Sequence, residues 1–235
     1  YSIYTASQLD ELKADASAVK FLKISYADLS PQVLELLKSS TDIVVLLYTT
    51  HINIVGEQRA VFHAFLNEGI KVPVILYRQY AENDIQALQL KSAADSGVMF
   101  IDGFGDGILL ENTGNLSVEA VNSVAFGILQ AARVRVTKTE FISCPGCGRT
   151  MFKLQSVVAR VKARTSHLKG LKIAIMGCVV NGTGEMADAD YGYVGAGRGK
   201  VSLYKKKNCL EKNINEEDAV DKLIELIKDN GDWHE

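Results

Sequence analysis

Over its first 138 positions the chain alternates short apolar runs with amphipathic stretches. Residues 21–26, 43–48, 72–77 and 98–101 are compact and largely apolar, the pattern of strands buried on both faces of a parallel sheet. Between them, helical spacing predicts helices near 6–15, 30–39, 57–68 and 82–95, with Gly69 and Gly97 where helix C-caps would fall. That alternation predicts a parallel sheet covered by helices, either doubly wound or part of a (β/α) barrel. A partial or degenerate barrel is the preferred form, because about five clear strands fall short of the eight a barrel needs.

From residue 139 the pattern changes scale. Residues 139–143 read as a strand running into Cys144. Leu154, Val157, Val158 and Val161 then keep helical i, i+3, i+4, i+7 spacing. Residues 171–176 read as a second strand ending at Gly177 and Cys178. Strand, helix, strand is a crossover, so the two strands should be parallel and both cysteine segments should leave their carboxyl ends. Open α/β sheets place their sites there. The glycine-rich stretch 188–200 lacks the Gly-Lys-Ser/Thr of a P-loop and the last glycine of the dinucleotide fingerprint, so it reads as a hairpin turn into strand 201–204. A last helix is expected from Asn215, with Glu216, Glu217 and Asp218 in its first turn and Val220, Leu223, Ile224 and Ile227 as its buried stripe. The fold expected is α/β: a parallel, partial barrel-like domain over 1–138, then a smaller α+β domain over 139–235 with a mixed sheet flanked by helices.

Composition narrows the functional classes. The 235 residues are 47% hydrophobic and 23% charged with three prolines, as in a globular protein. A net charge of −2 gives no reason to expect nucleic-acid or membrane binding. No apolar run approaches the ~20 residues of a membrane span. The chain opens on Tyr1 without a signal or transit segment and reads as a fragment. Four cysteines, three of them in metal-like positions, argue for a reducing compartment over a disulfide framework.

Those three cysteines carry the chemistry. Cys144 and Cys147, separated by Pro145 and Gly146, can place two thiolates on one centre across a short turn. Cys178 supplies a third sulfur, and Glu185 follows with a carboxylate after the glycines at 182 and 184. Three soft donors and one hard one suit an iron–sulfur cluster with one exchangeable position. Structural zinc competes on spacing alone, since a CxxC pair is common to many zinc sites. That alternative is a zinc-stabilised α/β interaction module without a redox role. Cys209 reads as an unliganded thiol. Arg198, Lys200 and Lys205 to Lys207 form a basic set that could dock an acidic partner, and the four histidines lie in no metal-like spacing.

The segment Phe141-Ile142-Ser143-Cys144-Pro145-Gly146-Cys147-Gly148-Arg149, followed by Met176-Gly177-Cys178-Val179-Val180-Asn181-Gly182-Thr183-Gly184-Glu185, resembles 4-hydroxy-3-methylbut-2-en-1-yl diphosphate synthases of the methylerythritol phosphate route to isoprenoids. The resemblance is close over about 100–235 and looser before it. It implies an iron–sulfur oxidoreductase with a [4Fe-4S] cluster on Cys144, Cys147, Cys178 and Glu185, and it places Asn181 against the substrate. It implies reductive opening of 2-C-methyl-D-erythritol 2,4-cyclodiphosphate, with ferredoxin or flavodoxin as electron donor. The location implied is the cytoplasm of a bacterium or the stroma of a plant plastid. Residues 1–138 match the later part of a spacer domain in plant-type members. In the family's catalytic barrel, the glycine turn corresponding to 103–107 is followed by an arginine and a serine that help hold the substrate. Here leucines, Glu111 and Asn112 follow, and a carboxylate there would repel a diphosphate. The catalytic barrel is therefore expected outside this chain, and the chain alone is expected to be inactive. A sample prepared in air is expected to lose its oxygen-ligated cluster.

Overall fold

The computed structural model describes residues 2–234 and divides them into two compact units, the first ending at Arg135 and the second beginning at Val136. Each unit is built on its own five-stranded sheet.

In the first unit, β1 (Ile3–Thr5), β2 (Lys20–Ile24), β3 (Ile43–Leu47), β4 (Val74–Tyr80) and β5 (Gly107–Asn112) lie side by side in chain order. Every neighbouring pair is parallel, with Leu22 opposite Val45 and Leu47 opposite Leu76. Such a sheet winds in one direction, without the reversal of a doubly wound fold. It is left open with β1 and β5 at its edges. Right-handed crossovers that always advance the same way bring every helix to one face. Helices α1 (Leu9–Ala14), α2 (Pro31–Ser39), α3 (Ile54–Glu68), α4 (Ile85–Ser92), α5 (Val98–Ile101) and α6 (Val118–Ala131) accordingly share one core with alternate strand residues. Leu12, Leu37, Phe65, Leu88, Met99 and Ile128 meet Leu22, Ile24, Val45, Leu47 and Leu76 there.

The run at 98–101, expected as a strand, is helical. It continues α4 through a π-helical turn at Ala93–Gly97, so Gly97 sits inside helical backbone at φ −62° and caps nothing. Met99 and Phe100 are buried by this helix, and four apolar residues cannot by themselves distinguish the two periods. The strand lies further on, at β5. Gly69 does end α3, at φ +70°.

In the second unit the sheet order is β10-β9-β8-β7-β6, with β6 (Glu140–Ser143), β7 (Lys172–Met176), β8 (Tyr191–Gly197), β9 (Lys200–Lys205) and β10 (Asn208–Asn215). The crossover from β6 through α7 (Leu154–Thr165) to β7 is parallel, as its pattern predicts. β8 joins parallel to β7, while β9 and β10 return as antiparallel hairpins. The glycine-rich stretch is therefore the β8–β9 hairpin, with its turn at Gly199, φ +65°. α7 and α9 (Glu216–Asp229) pack one face of the sheet, burying Val157, Val161, Leu223 and Ile227 against Ile173, Ile175, Tyr191 and Tyr193. On the other face Ala174, Met176 and Val194 pack with Met186 and Ala189. Asn215 stands at the N-cap of α9, yet its side chain makes no cap hydrogen bond; its Oδ1 accepts from Lys200 Nζ at 2.7 Å. Thus the acidic first turn, without a side-chain cap, complements the helix dipole.

Two further expectations change. Residues 179–185, read as a loop free to curl, form a short helix, α8 (Val179–Glu185). The basic residues expected as one cluster occupy two turns at opposite ends of β9: Arg198 and Lys200 at the β8–β9 turn, Lys205 to Lys207 at the β9–β10 turn. No helix among the described residues is long and apolar enough to cross a membrane.

Candidate metal centre

β6 delivers Cys144 one residue past its last paired position, and β7 delivers Gly177 and Cys178 in the same way. Because the strands are parallel neighbours, the two segments emerge side by side. α8 starts immediately, with Cys178 in extended geometry as its N-cap. Asn181 and Glu185 are four apart on that helix and so lie on one face. Their separation, expected as a curl of loop, is one helical turn.

The result is one pocket of about 110 Å³ lined by Cys144, Cys147, Cys178, Asn181 and Glu185 together with Arg149. All four cysteines of the chain are free thiols. Cys209 lies in β10 with its thiol 3.6 Å from the Glu211 carbonyl and does not line this pocket. His63 and His167 pack edge-on against Phe104 and Trp233, in keeping with structural roles.

Backbone amides address two of the sulfurs. Gly177 N–H donates to Cys144 Sγ at 3.2 Å, and Arg149 N–H donates to Cys147 Sγ at 3.4 Å. The Arg149 backbone N–H first, and then its guanidinium, holds the exposed Cys147 thiol below the ordinary cysteine range. Both effects favour thiolate, the form that binds metal.

Close backbone packing shapes the walls. A Cβ on Gly182 would meet the Met176 Cβ at 2.7 Å, and one on Gly195 would meet the Gly177 carbonyl oxygen at 2.3 Å. Glycine at these positions lets α8 and β8 approach the end of β7. The donor set fits a soft, thiolate-bound cluster with one oxygen ligand. Among the described residues no three His, Cys, Asp or Glu side chains are gathered tightly enough to hold a single ion. Sequence spacing did not single out Thr150 or Gly177, whose contacts join the two cysteine segments; the signal available was only their place inside the motifs.

Fold and pocket together define a class: an α/β protein with three thiols and a carboxylate gathered at the carboxyl ends of adjacent parallel strands. Comparison with known proteins makes this specific. Residues 140–229 match the GcpE protein C-terminal domain. Across 235 residues the chain is 58% identical to 4-hydroxy-3-methylbut-2-en-1-yl diphosphate synthase (flavodoxin) of Parabacteroides distasonis, covering 99% of this chain and 38% of that protein. The same-named protein of Phocaeicola vulgatus is 55% identical over 235 residues, 100% of this chain and 38% of the relative. The chloroplastic 4-hydroxy-3-methylbut-2-en-1-yl diphosphate synthase (ferredoxin) of Oryza sativa subsp. japonica is 43% identical over 215 residues, 88% of this chain and 28% of the relative. The chain corresponds to the C-terminal portion of these 4-hydroxy-3-methylbut-2-en-1-yl diphosphate synthases. It spans 38% of the length of the first two of these relatives.

Proposed function

We propose that this chain is the cluster-bearing, electron-delivering portion of an enzyme that converts 2-C-methyl-D-erythritol 2,4-cyclodiphosphate to 4-hydroxy-3-methylbut-2-enyl diphosphate by reductive ring opening. The observation that supports it most is the meeting of Cys144, Cys147, Cys178 and Glu185 on one pocket, with backbone N–H groups aimed at two of the sulfurs. These four side chains would hold a [4Fe-4S] cluster. Bound there, the cluster would supply electrons to a substrate whose C–O bond breaks as the ring opens.

The chain's own groups divide the remaining work. The three thiolates would hold such a cluster firmly, whereas the Glu185 carboxylate, a harder donor, would hold its remaining position less tightly and would be the ligand most open to exchange for a substrate oxygen. Asn181, on the same face of α8, offers an amide to the substrate. Arg149 sustains the negative charge on Cys147 through its backbone and guanidinium. The residues that grip the two phosphates belong to a barrel domain outside this chain, and residues 1–138 serve as a spacer. The electron donor is a flavodoxin or ferredoxin, the proteins named for the bacterial and rice relatives. The compartment is bacterial cytoplasm or plastid stroma.

Anaerobic reconstitution with iron and sulfide tests this reading. The expected product carries about four irons and four sulfides per chain, with broad visible absorption and a paramagnetic signal on reduction. Cys144→Ser, Cys147→Ser and Cys178→Ser should each abolish loading. With a competent reductant the loaded chain alone should not turn over the cyclodiphosphate. Stoichiometric zinc without sulfide would replace the proposal with a zinc-stabilised interaction module.

A further inference from the structure

The two cysteine segments come from different strands, and something must hold them in register. The contacts that do so pass through the peptide of Gly177. Its N–H reaches Cys144 Sγ at 3.2 Å, and its carbonyl accepts from Met151 N–H at 3.0 Å. The side chain next to it is Thr150. A Cβ added to Gly177 would lie 2.8 Å from Thr150 Cγ2 and 2.9 Å from Thr150 Oγ1. Thr150 therefore fills the place a side chain at 177 would take.

Thr150 also closes the turn that carries Cys147. Its Oγ1 accepts from Cys147 N–H at 3.0 Å, and its own N–H donates to the Cys147 carbonyl at 3.0 Å. The hydroxyl thus fixes the backbone of one cysteine segment while the methyl rests on the other. We infer that Thr150 is a positioning residue, a latch that sets the spacing of Cys147 relative to Cys144 and Cys178 before anything is bound. The role attached to that spacing rests on the cluster reading above, but the latch is a property of the unloaded chain as well.

The two halves of the side chain can be separated. Thr150→Val keeps the shape and removes the acceptor, Thr150→Ser keeps the acceptor and removes the methyl, and Thr150→Ala removes both. In the unloaded chain, alkylation of Cys147 followed by mass spectrometry should change severalfold in Thr150→Val and Thr150→Ala and return towards wild type in Thr150→Ser. After reconstitution, Thr150→Val should retain iron about tenfold less well against a chelator, the scale found when groups supporting metal ligands are lost. Its reduced-state paramagnetic spectrum should also differ from wild type.

A double-mutant cycle guards against a general folding defect. Gly177→Ala should destabilise the chain by collision with Thr150, and Thr150→Ala should partly relieve that loss, leaving a non-additive term. Wild-type alkylation in Thr150→Val, or strict additivity in the cycle, would overturn the latch. Failure of the wild-type chain to take up iron and sulfide would overturn the cluster reading instead. The alkylation and the cycle would still decide the latch.

Discussion

At the scale of single residues, the first unit carries a pair whose ionisation is tied to folding. Tyr77 and Glu111 lie on the side of the sheet opposite the helices, and the Tyr77 hydroxyl donates to Glu111 Oε2. Gln79 donates to the same oxygen at 2.9 Å, and the Lys23 ammonium stands 4.6 Å from the Tyr77 ring centre. The Tyr77 hydrogen bond, then Gln79, holds the Glu111 carboxyl below its ordinary value. Burial, then the bond to Glu111, pushes Tyr77 up to about 12. For the carboxyl, a lowered folded value means stability that is present above the ordinary glutamate range and lost as pH falls through the folded value. For the phenol, a raised value means stability fully present below about pH 10 and lost as pH rises through about 12. Tyr77→Phe should therefore cost about 0.5–1.5 kcal/mol near pH 7, towards the low end because Glu111 is exposed. Urea unfolding should show the gap from wild type narrowing towards pH 3. An equal gap at both pH values would separate the pair from the acid limb.

At the scale of elements, α8 decides what the pocket can present. Its seven residues begin at the end of β7, and buried Gly182 lets the helix lie on Met176. Gly182→Ala would place a methyl 2.7 Å from the Met176 Cβ. Overpacking of that kind costs about 1–3 kcal/mol, and here the strain would lift the face that carries Asn181 and Glu185. Thermal unfolding should report the loss, and iron uptake should fall further than in an exposed control, Gly184→Ala, where an added Cβ meets nothing. Comparable effects from both substitutions would refute the packing argument.

At the scale of the whole molecule, two sheets carry separate apolar cores, one on the helix-facing side of β2 to β5 and the others on the two faces of β6 to β9. A unit with its own core can fold by itself. Residues 136–235 expressed alone should give a cooperative unfolding transition and take up iron and sulfide. A molten, non-cooperative product would contradict this. Much of that architecture was legible from periodicity, because β2, β3 and β7 are apolar runs too short for helices and α9 is strongly amphipathic. The crossover placing Cys144 and Cys178 on adjacent strand ends was legible for the same reason. Periodicity could not reveal that 98–101 extends a helix, since four residues span barely one turn. Nor could it reveal α8, because glycines at 182 and 184 speak against a helix in isolation and only packing on Met176 stabilises it. β1 is three residues long, below what alternation can register.

The layering of Thr150, the Gly177 peptide and Gly195 has a consequence for which sequences can occupy this fold. A methyl at 195 would strike the Gly177 carbonyl, a backbone atom that cannot swing aside, whereas one at 177 strikes only a side chain. In a library randomised at 150, 177 and 195 and selected for folded protein, 195 should return glycine alone, while 177 should admit alanine in those clones that have also lost the threonine.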